Sequence, residues 1–158
     1  MRKVIANTTP LIALSEIGQL DLLRKLYSEI TIPTAVIHEI ISEPARSLVM
    51  AAEWIKIEEL PDMKHKSSFS SRLHAGEIEV IMLAQKDAAD LLIMDDNTAK
   101  KTAKYLGLTV TGTMGVLLRA KKEGMITEIK PLLEELIGNS LYVSQTVKDY
   151  VLNQAGEL

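Results

Sequence analysis

The chain contains no cysteine, which excludes disulfides and thiolate-bound metals and permits a reducing interior. Aromatic residues are few, with one Trp, one Phe and four Tyr, so the core must be aliphatic. Excess positive charge is also missing. A net charge of −3 argues against a surface coated for nonspecific nucleic-acid binding, although it leaves room for a local basic rim around an acidic site. No apolar run approaches membrane-spanning length. Met1-Arg2-Lys3 is followed by only three apolar residues before Asn7, which does not read as a signal peptide, so the expected location is the cytoplasm. Gly112-Thr113-Met114-Gly115 lacks the Gly-Lys-Thr of a phosphate loop. No Ser or Thr sits in a nucleophile-elbow setting. His38, His65 and His74 are scattered, without metal-ligand spacing.

What is present is organised around Leu91-Leu92-Ile93-Met94-Asp95-Asp96. Four apolar residues end in two carboxylates, and a helical pattern follows through Ala99, Ala103 and Leu106. That pattern predicts a buried parallel strand delivering acids to the carboxyl edge of its sheet, where sites form in open α/β folds. Adjacent acids need a nearby positive charge, such as a divalent cation. The competing reading is that one caps the next helix and the other is solvated.

Residues 3–6 read as a strand, Pro10 to Ser15 as a short helix, and Leu20 to Leu26 as a second helix. A strand is expected at 29–32, followed by a helix from Pro33 striped by Val36, Ile37, Ile40 and Ile41, and a further helix from Pro44 to about Glu53. Residues 54–57 suit an edge strand. The Ser-rich stretch 61–72, with Lys64-His65-Lys66, has loop composition. Leu73 to Ala89 is apolar nearly all round, as in a buried central helix. A strand at 108–111 and helices at about 113–122, 131–137 and 143–153 complete the chain. Strands alternating with helices call for right-handed parallel crossovers. The 158 residues are therefore expected to form one α/β domain, 1–158, with three α/β/α layers and a central parallel sheet of four or five strands.

Parallel strands end on one edge of a sheet, so Asn7 and Asp95–Asp96 converge if their strands are neighbours. Glu39 and Glu77 are carboxylates on otherwise apolar helices, where charge is costly unless paired or ligating. Glu39 could equally face outward, between His38 and Ser42. Glu79 lies about 200° around the helix from Glu77, so both cannot point into one site.

The chain resembles the PIN domain, the small α/β fold of metal-dependent ribonucleases that includes VapC toxins and PilT N-terminal-like proteins. The likeness rests on Ile5-Ala6-Asn7-Thr8-Thr9-Pro10-Leu11-Ile12, on Ile32-Pro33-x-x-Val36-x-x-Glu39 and on Leu73-His74-x-Gly76-Glu77-x-Glu79-x-Ile81. It continues through the 91–96 hexapeptide and Gly112-Thr113-x-Gly115-Val116-Leu117.

The resemblance implies a cluster of acids binding Mg²⁺ or Mn²⁺. Glu39, Glu77 and Asp96 take the second, third and fourth acid positions, with Asp95 adjacent and able to share the ligand role. Asn7 falls on the first acid position and departs from the pattern, and Thr8 supplies the hydroxyl that follows it. An amide oxygen can ligate Mg²⁺ but brings no charge and cannot act as a general base.

The implied catalytic set is Asn7, Glu39, Glu77 and Asp96, acting on phosphodiester bonds of single-stranded RNA. Lys100, Lys101 and Lys104, with Thr8, are the candidates for holding substrate, and Arg119, Lys121 and Lys122 on the next helix could complete an RNA rim; an ordinary solvated helix face is the alternative for both basic groups. The resemblance further implies an antitoxin partner and a homodimer. Leu20, Leu23, Leu26 and Tyr27 offer weak support for the dimer and are more often plain core. Two other readings stand beside the ribonuclease: a weakly active or inactive PIN-like module that binds RNA or protein, motivated by Asn7, and a small-molecule phosphohydrolase, disfavoured by the missing phosphate loop.

Overall fold

A computed structural model describes residues 2–60, 73–139 and 141–158. Five strands form one sheet: β1 (Val4–Ala6), β2 (Ile30–Pro33), β3 (Ile55–Glu58), β4 (Leu91–Ile93) and β5 (Val110–Thr111). Their order is β3-β2-β1-β4-β5, and every pair is parallel. The strands are short and aliphatic because the three central ones are covered on both faces. Val4–Ala6, Ile30–Pro33 and Leu91–Ile93 are buried throughout, as expected for a sheet enclosed between helical layers.

The connections explain the layers. The chain steps from β1 to β2 to β3 in one direction, then returns across the sheet to β4 and β5. Right-handed crossovers running in opposite directions place their helices on opposite faces. The first face carries α1 (Thr8–Glu16), α2 (Asp21–Tyr27) and α4 (Ala45–Ala51), joined by α7 (Thr113–Lys122), which packs on α1 and α2. Helices α8 (Lys130–Asn139) and α9 (Gln145–Gln154) extend that layer by packing on α1 and α7 respectively. The opposite face carries α5 (Ala75–Asp87) and α6 (Asn97–Tyr105). The short helix α3 (Thr34–Glu39) packs on α5, β2 and β3. The architecture is the three-layer α/β/α sandwich expected, with five strands.

Helix α5 is the central helix that its sequence describes. It is apolar nearly all round, and Val80, Ile81, Leu83 and Ala84 are fully buried. Leu20 and Leu23 are core residues, and Leu26 and Tyr27 pack partly against that core. The expected stripe on the helix after Pro33 overreaches. Helix α3 stops at Glu39 because Arg46 donates to the carbonyls of Ile37 and Ile40. Ile41 lies beyond that end and is 82% exposed. The following helix likewise ends at Ala51, short of the expected Glu53. Residues 61–72, read above as a loop, lie outside the described residues. Among the described residues, no helix is long and apolar enough to cross a membrane.

Candidate functional site

β1 and β4 are neighbours, in the register Ala6 to Ile93. The chain leaves β1 toward β2 on one side and reaches β4 on the other, so the pair forms the switch point of the sheet, the crevice where α/β folds place ligands. Asn7 directly follows β1, and its backbone N–H donates to the Ile93 carbonyl at 2.8 Å. The convergence argued from topology therefore holds.

Asn7 is the N-cap of α1. An Asn there ordinarily spends its side-chain oxygen on a backbone N–H of the first turn. This one makes no such bond, and Asn7 is 4% exposed. Its Oδ1 has no hydrogen-bond partner among the described residues. A buried polar oxygen without a partner costs about 1–3 kcal/mol, so its environment suits a positive ligand or a donor better than it suits an empty crevice.

The next residue draws in Glu39. Thr8 Oγ1 donates to Glu39 Oε1 at 2.7 Å, and Gly76 N–H donates to Glu39 Oε2 at 3.1 Å. The carboxylate thus ties α1, α3 and the start of α5 together. It reaches that position because α3 ends at Glu39, which frees the side chain to turn toward the sheet edge. Gly76 is required by this approach: a Cβ there would strike Glu39 Oε1 and lie 2.8 Å from its Cδ.

Glu77 is held from the same helix start. His74 is the N-cap of α5, and its N–H donates to Glu77 Oε1 at 2.9 Å. Burial pushes the Glu77 carboxyl above the usual range; the His74 bond works against this, while the negative charges of Asp96 and Glu39 push the same way as burial. Burial is the main cause, and the smaller push from Asp96 and Glu39 puts both carboxylates within electrostatic reach of Glu77. Glu79 belongs elsewhere. Its Oε1 accepts from Ala35 N–H at 3.2 Å, at the start of α3. Glu79 is buried on a different side of α5 from Glu77, as the two-residue spacing requires.

Asp95 and Asp96 divide. Asp96 is the N-cap of α6, and its Oδ2 accepts from Ala99 N–H at 2.9 Å. Asp95 turns toward α7, accepting from Thr113 N–H at 2.7 Å and from Thr113 Oγ1 at 2.6 Å. Both acids are thus committed to helix starts, and only Asp96 acts on the Glu77 carboxyl. Lys100 comes alongside: the position a Gly112 Cβ would take lies 2.6 Å from Asp95 Oδ1 and 2.8 Å from Lys100 Nζ. Lys104 follows one turn along α6 and is exposed; Lys101, also exposed, projects about 100° away around the helix.

Two roles were missed in the sequence. Thr113 holds Asp95, and Gly76 admits Glu39. The available signal was a glycine just inside the start of a helix, where it weakens the helix unless something needs its space.

Among the described residues, no three acidic or imidazole groups gather closely enough to enclose a metal ion unaided. Mg²⁺, however, keeps several waters and takes only one or two carboxylates directly. The partnerless Asn7 Oδ1, the crowded Glu77, and Glu39 and Asp96 beside it fit a hydrated divalent cation of that kind.

The family model described as PIN domain matches residues 3–157. No curated protein matches the chain.

Proposed function

The chain belongs to the PIN-domain family, and from that premise we propose that it is a divalent-cation-dependent ribonuclease that hydrolyses phosphodiester bonds of single-stranded RNA. The observation that carries this reading is the buried Asn7 Oδ1 at the β1/β4 switch point, without a hydrogen-bond partner among the described residues, at the sheet edge where Asp96 and Glu39 both act on the buried Glu77 carboxyl. Mg²⁺ or Mn²⁺ would supply a lowered pKa for water and offset charge building on the phosphate.

The chain's own residues set the rest. Glu39, Glu77 and Asp96 would hold the cation, with Asn7 Oδ1 as a neutral ligand, while Asp95, whose two oxygens accept from Thr113, anchors the start of α7 beside them. Thr8 keeps Glu39 aimed at the crevice through its 2.7 Å hydrogen bond. Lys100, beside Asp95, together with Lys101 and Lys104, meets the phosphates of the substrate. Asn7 cannot take a proton, so among Asn7, Glu39, Glu77 and Asp96 any proton-accepting group is a carboxylate. The reading extends to a toxin held in check by an antitoxin, and to a homodimer; light scattering of the chain alone and with a co-expressed partner tests both.

The purified protein is expected to cut single-stranded RNA with Mg²⁺ or Mn²⁺ and to stop when chelator is added. Cleavage undiminished by chelator would reject the cation. A second reading, an inactive module that binds RNA or protein, is favoured by the missing charge at position 7. It predicts RNA binding without cleavage and no heat of Mn²⁺ binding in a calorimetric titration.

A further inference from the structure

On the far side of the sheet from α3, the edge strand β5 borders a groove of about 420 Å³. It runs between β5, the end of α2 and the outer side of α7. Arg2, Arg119 and Lys122 line it together with the ring of Tyr27, and no acidic side chain lines it among the described residues. In a chain of net charge −3, three cations around one acid-free groove form a local field opposite in sign to that of the whole molecule. Among the described residues only Arg119 has an acidic partner there, with Nε 2.9 Å from Glu123 Oε1, and that pair is about half exposed. The Arg2 guanidinium carbon lies 5.9 Å from the centre of the Tyr27 ring, so the groove also offers a stacked cation and aromatic face.

The groove has a direction. Arg2 and Leu91 stand at its lower end, near the amino ends of β1 and β4. Thr111 stands at its upper end, two residues before the Thr113 that grips Asp95. Gly115 lets α7 close onto the Thr111 side chain there, since a Cβ would strike the Thr111 hydroxyl. A chain of phosphates lying over Arg2, Lys122 and Arg119 would therefore be led along β5 toward the carboxyl edge of the sheet.

We propose that this groove, outside the acidic crevice, binds the sugar-phosphate backbone of single-stranded RNA and feeds it toward the site. The inference rests on the nuclease reading for the choice of polyanion. Charge and shape favour a nucleic acid over a protein segment. Cations without acids suit a uniform polyanion, and the Tyr27–Arg2 face suits stacking of an unpaired base.

The test is anisotropy of a short fluorescein-labelled oligoribonucleotide of mixed sequence, titrated with the full chain in chelator across a range of salt. The variant Arg2→Gln/Arg119→Gln/Lys122→Gln is compared with Lys56→Gln/Lys130→Gln/Lys148→Gln, which removes equal charge elsewhere. A single strand loses a slope of about 0.7 in log K against log salt per phosphate contact, so the groove variant should lose about 2. Its affinity at low salt should fall at least about tenfold, with the control unchanged. Thermal melts verify that both variants are folded.

Equal loss in the two variants, or none in either, overturns the proposal. So does wild-type protein that ignores the oligonucleotide but self-associates in a way the groove variant abolishes, which would make the groove a protein interface. Groove-dependent binding without Mn²⁺-dependent cleavage keeps the groove and rejects the nuclease. Cleavage with groove-independent binding does the reverse.

Discussion

Replacing Gly76 by Ala should destabilise the protein, although Ala is the better helix former. Gly76 lies in the first turn of α5, where Ala in place of Gly ordinarily gains up to about 1 kcal/mol. Here the new methyl would occupy the place of the Glu39 carboxylate, 2.8 Å from its Cδ. The side chain can swing away, so the cost is not steric; it is the loss of the bonds from Thr8 Oγ1 and Gly76 N–H. Hydrogen bonds to a charged group contribute about 1.5–3 kcal/mol each. Glu39 is only partly buried and regains water when displaced, so the low end applies, about 3 kcal/mol for the two before the helix gain. The net loss should be about 2 kcal/mol, or a fall in Tm of about 4–8 °C for a chain of this size. Thermal unfolding followed by circular dichroism in chelator measures it. The decisive arm is a double-mutant cycle. In a Glu39→Ala background the same Gly76→Ala change should become neutral or stabilising, giving a coupling of about 2–3 kcal/mol. If Gly76→Ala raises Tm in the wild-type background, Glu39 does not rest against α5, and the crevice as described is wrong.

Three further changes separate the roles of the remaining groups. Asn7→Asp should tighten Mn²⁺ binding about tenfold, or about 1.4 kcal/mol, in a calorimetric titration, while lowering Tm in chelator because a fourth carboxylate joins the buried edge. Asp96→Asn should abolish cleavage yet shift stability by no more than about 0.5 kcal/mol, since Asn caps a helix as well as Asp; Asp95→Asn should instead cost about 1–2 kcal/mol through its weakened pair of bonds to Thr113, so a denaturant titration of both variants tells the acids apart. Glu77 contributes a pH dependence of opposite sign to that of the paired carboxylates, whose values are lowered. Its carboxyl is raised in the folded state by burial and by Asp96 and Glu39, so folding favours the protonated form. That contribution is fully present below the unfolded carboxyl pKa of about 4.3, and it is lost as pH rises through the raised folded value. Glu77→Gln, which can still accept from His74 N–H, should therefore melt higher than wild type at neutral pH in chelator, with the difference shrinking toward acid; identical melting curves at all pH values would show that Glu77 is not crowded.

Much of this was legible because strand burial and strand adjacency leave local marks. Leu91–Met94 followed by Asp95–Asp96 announces a strand and its carboxyl edge within six residues, and Asn7 stands at the same point after Val4–Ala6. What was not legible depends on meetings between distant segments. Thr8 meets Glu39 across 31 residues, at the point where α3 ends and Arg46 from the next helix caps its last carbonyls; no period in the sequence encodes where a short helix meets an arginine from the next one. The division of Asp95 from Asp96 was equally hidden. It is set by Thr113, 18 residues past Asp95, whose N–H and hydroxyl point at the edge from the first turn of α7, just after the strand that pairs with β4. A sequence pattern can place two acids at one edge, but the donors that claim each of them come from the neighbouring turns.

Asn7 gains a physical rationale from those neighbours. Glu77 already resists ionisation through burial, with Asp96 and Glu39 adding to it, and position 7 is the most buried of the candidate site positions, 4% exposed against 6% for Glu77. A carboxylate there would bear a desolvation penalty of several kcal/mol without a cation to offset it. The carboxamide instead keeps an oxygen aimed at the crevice at a cost of about 1–3 kcal/mol when unpaired. The cation-free fold is thereby less strained, and the attraction for a cation correspondingly weaker. On the proposed reading the site fills only at high Mg²⁺ or Mn²⁺, so cleavage should rise steeply with cation concentration in the wild type and saturate earlier in Asn7→Asp. Two rate curves that coincide across the whole cation range would mean that residue 7 takes no part in holding the ion.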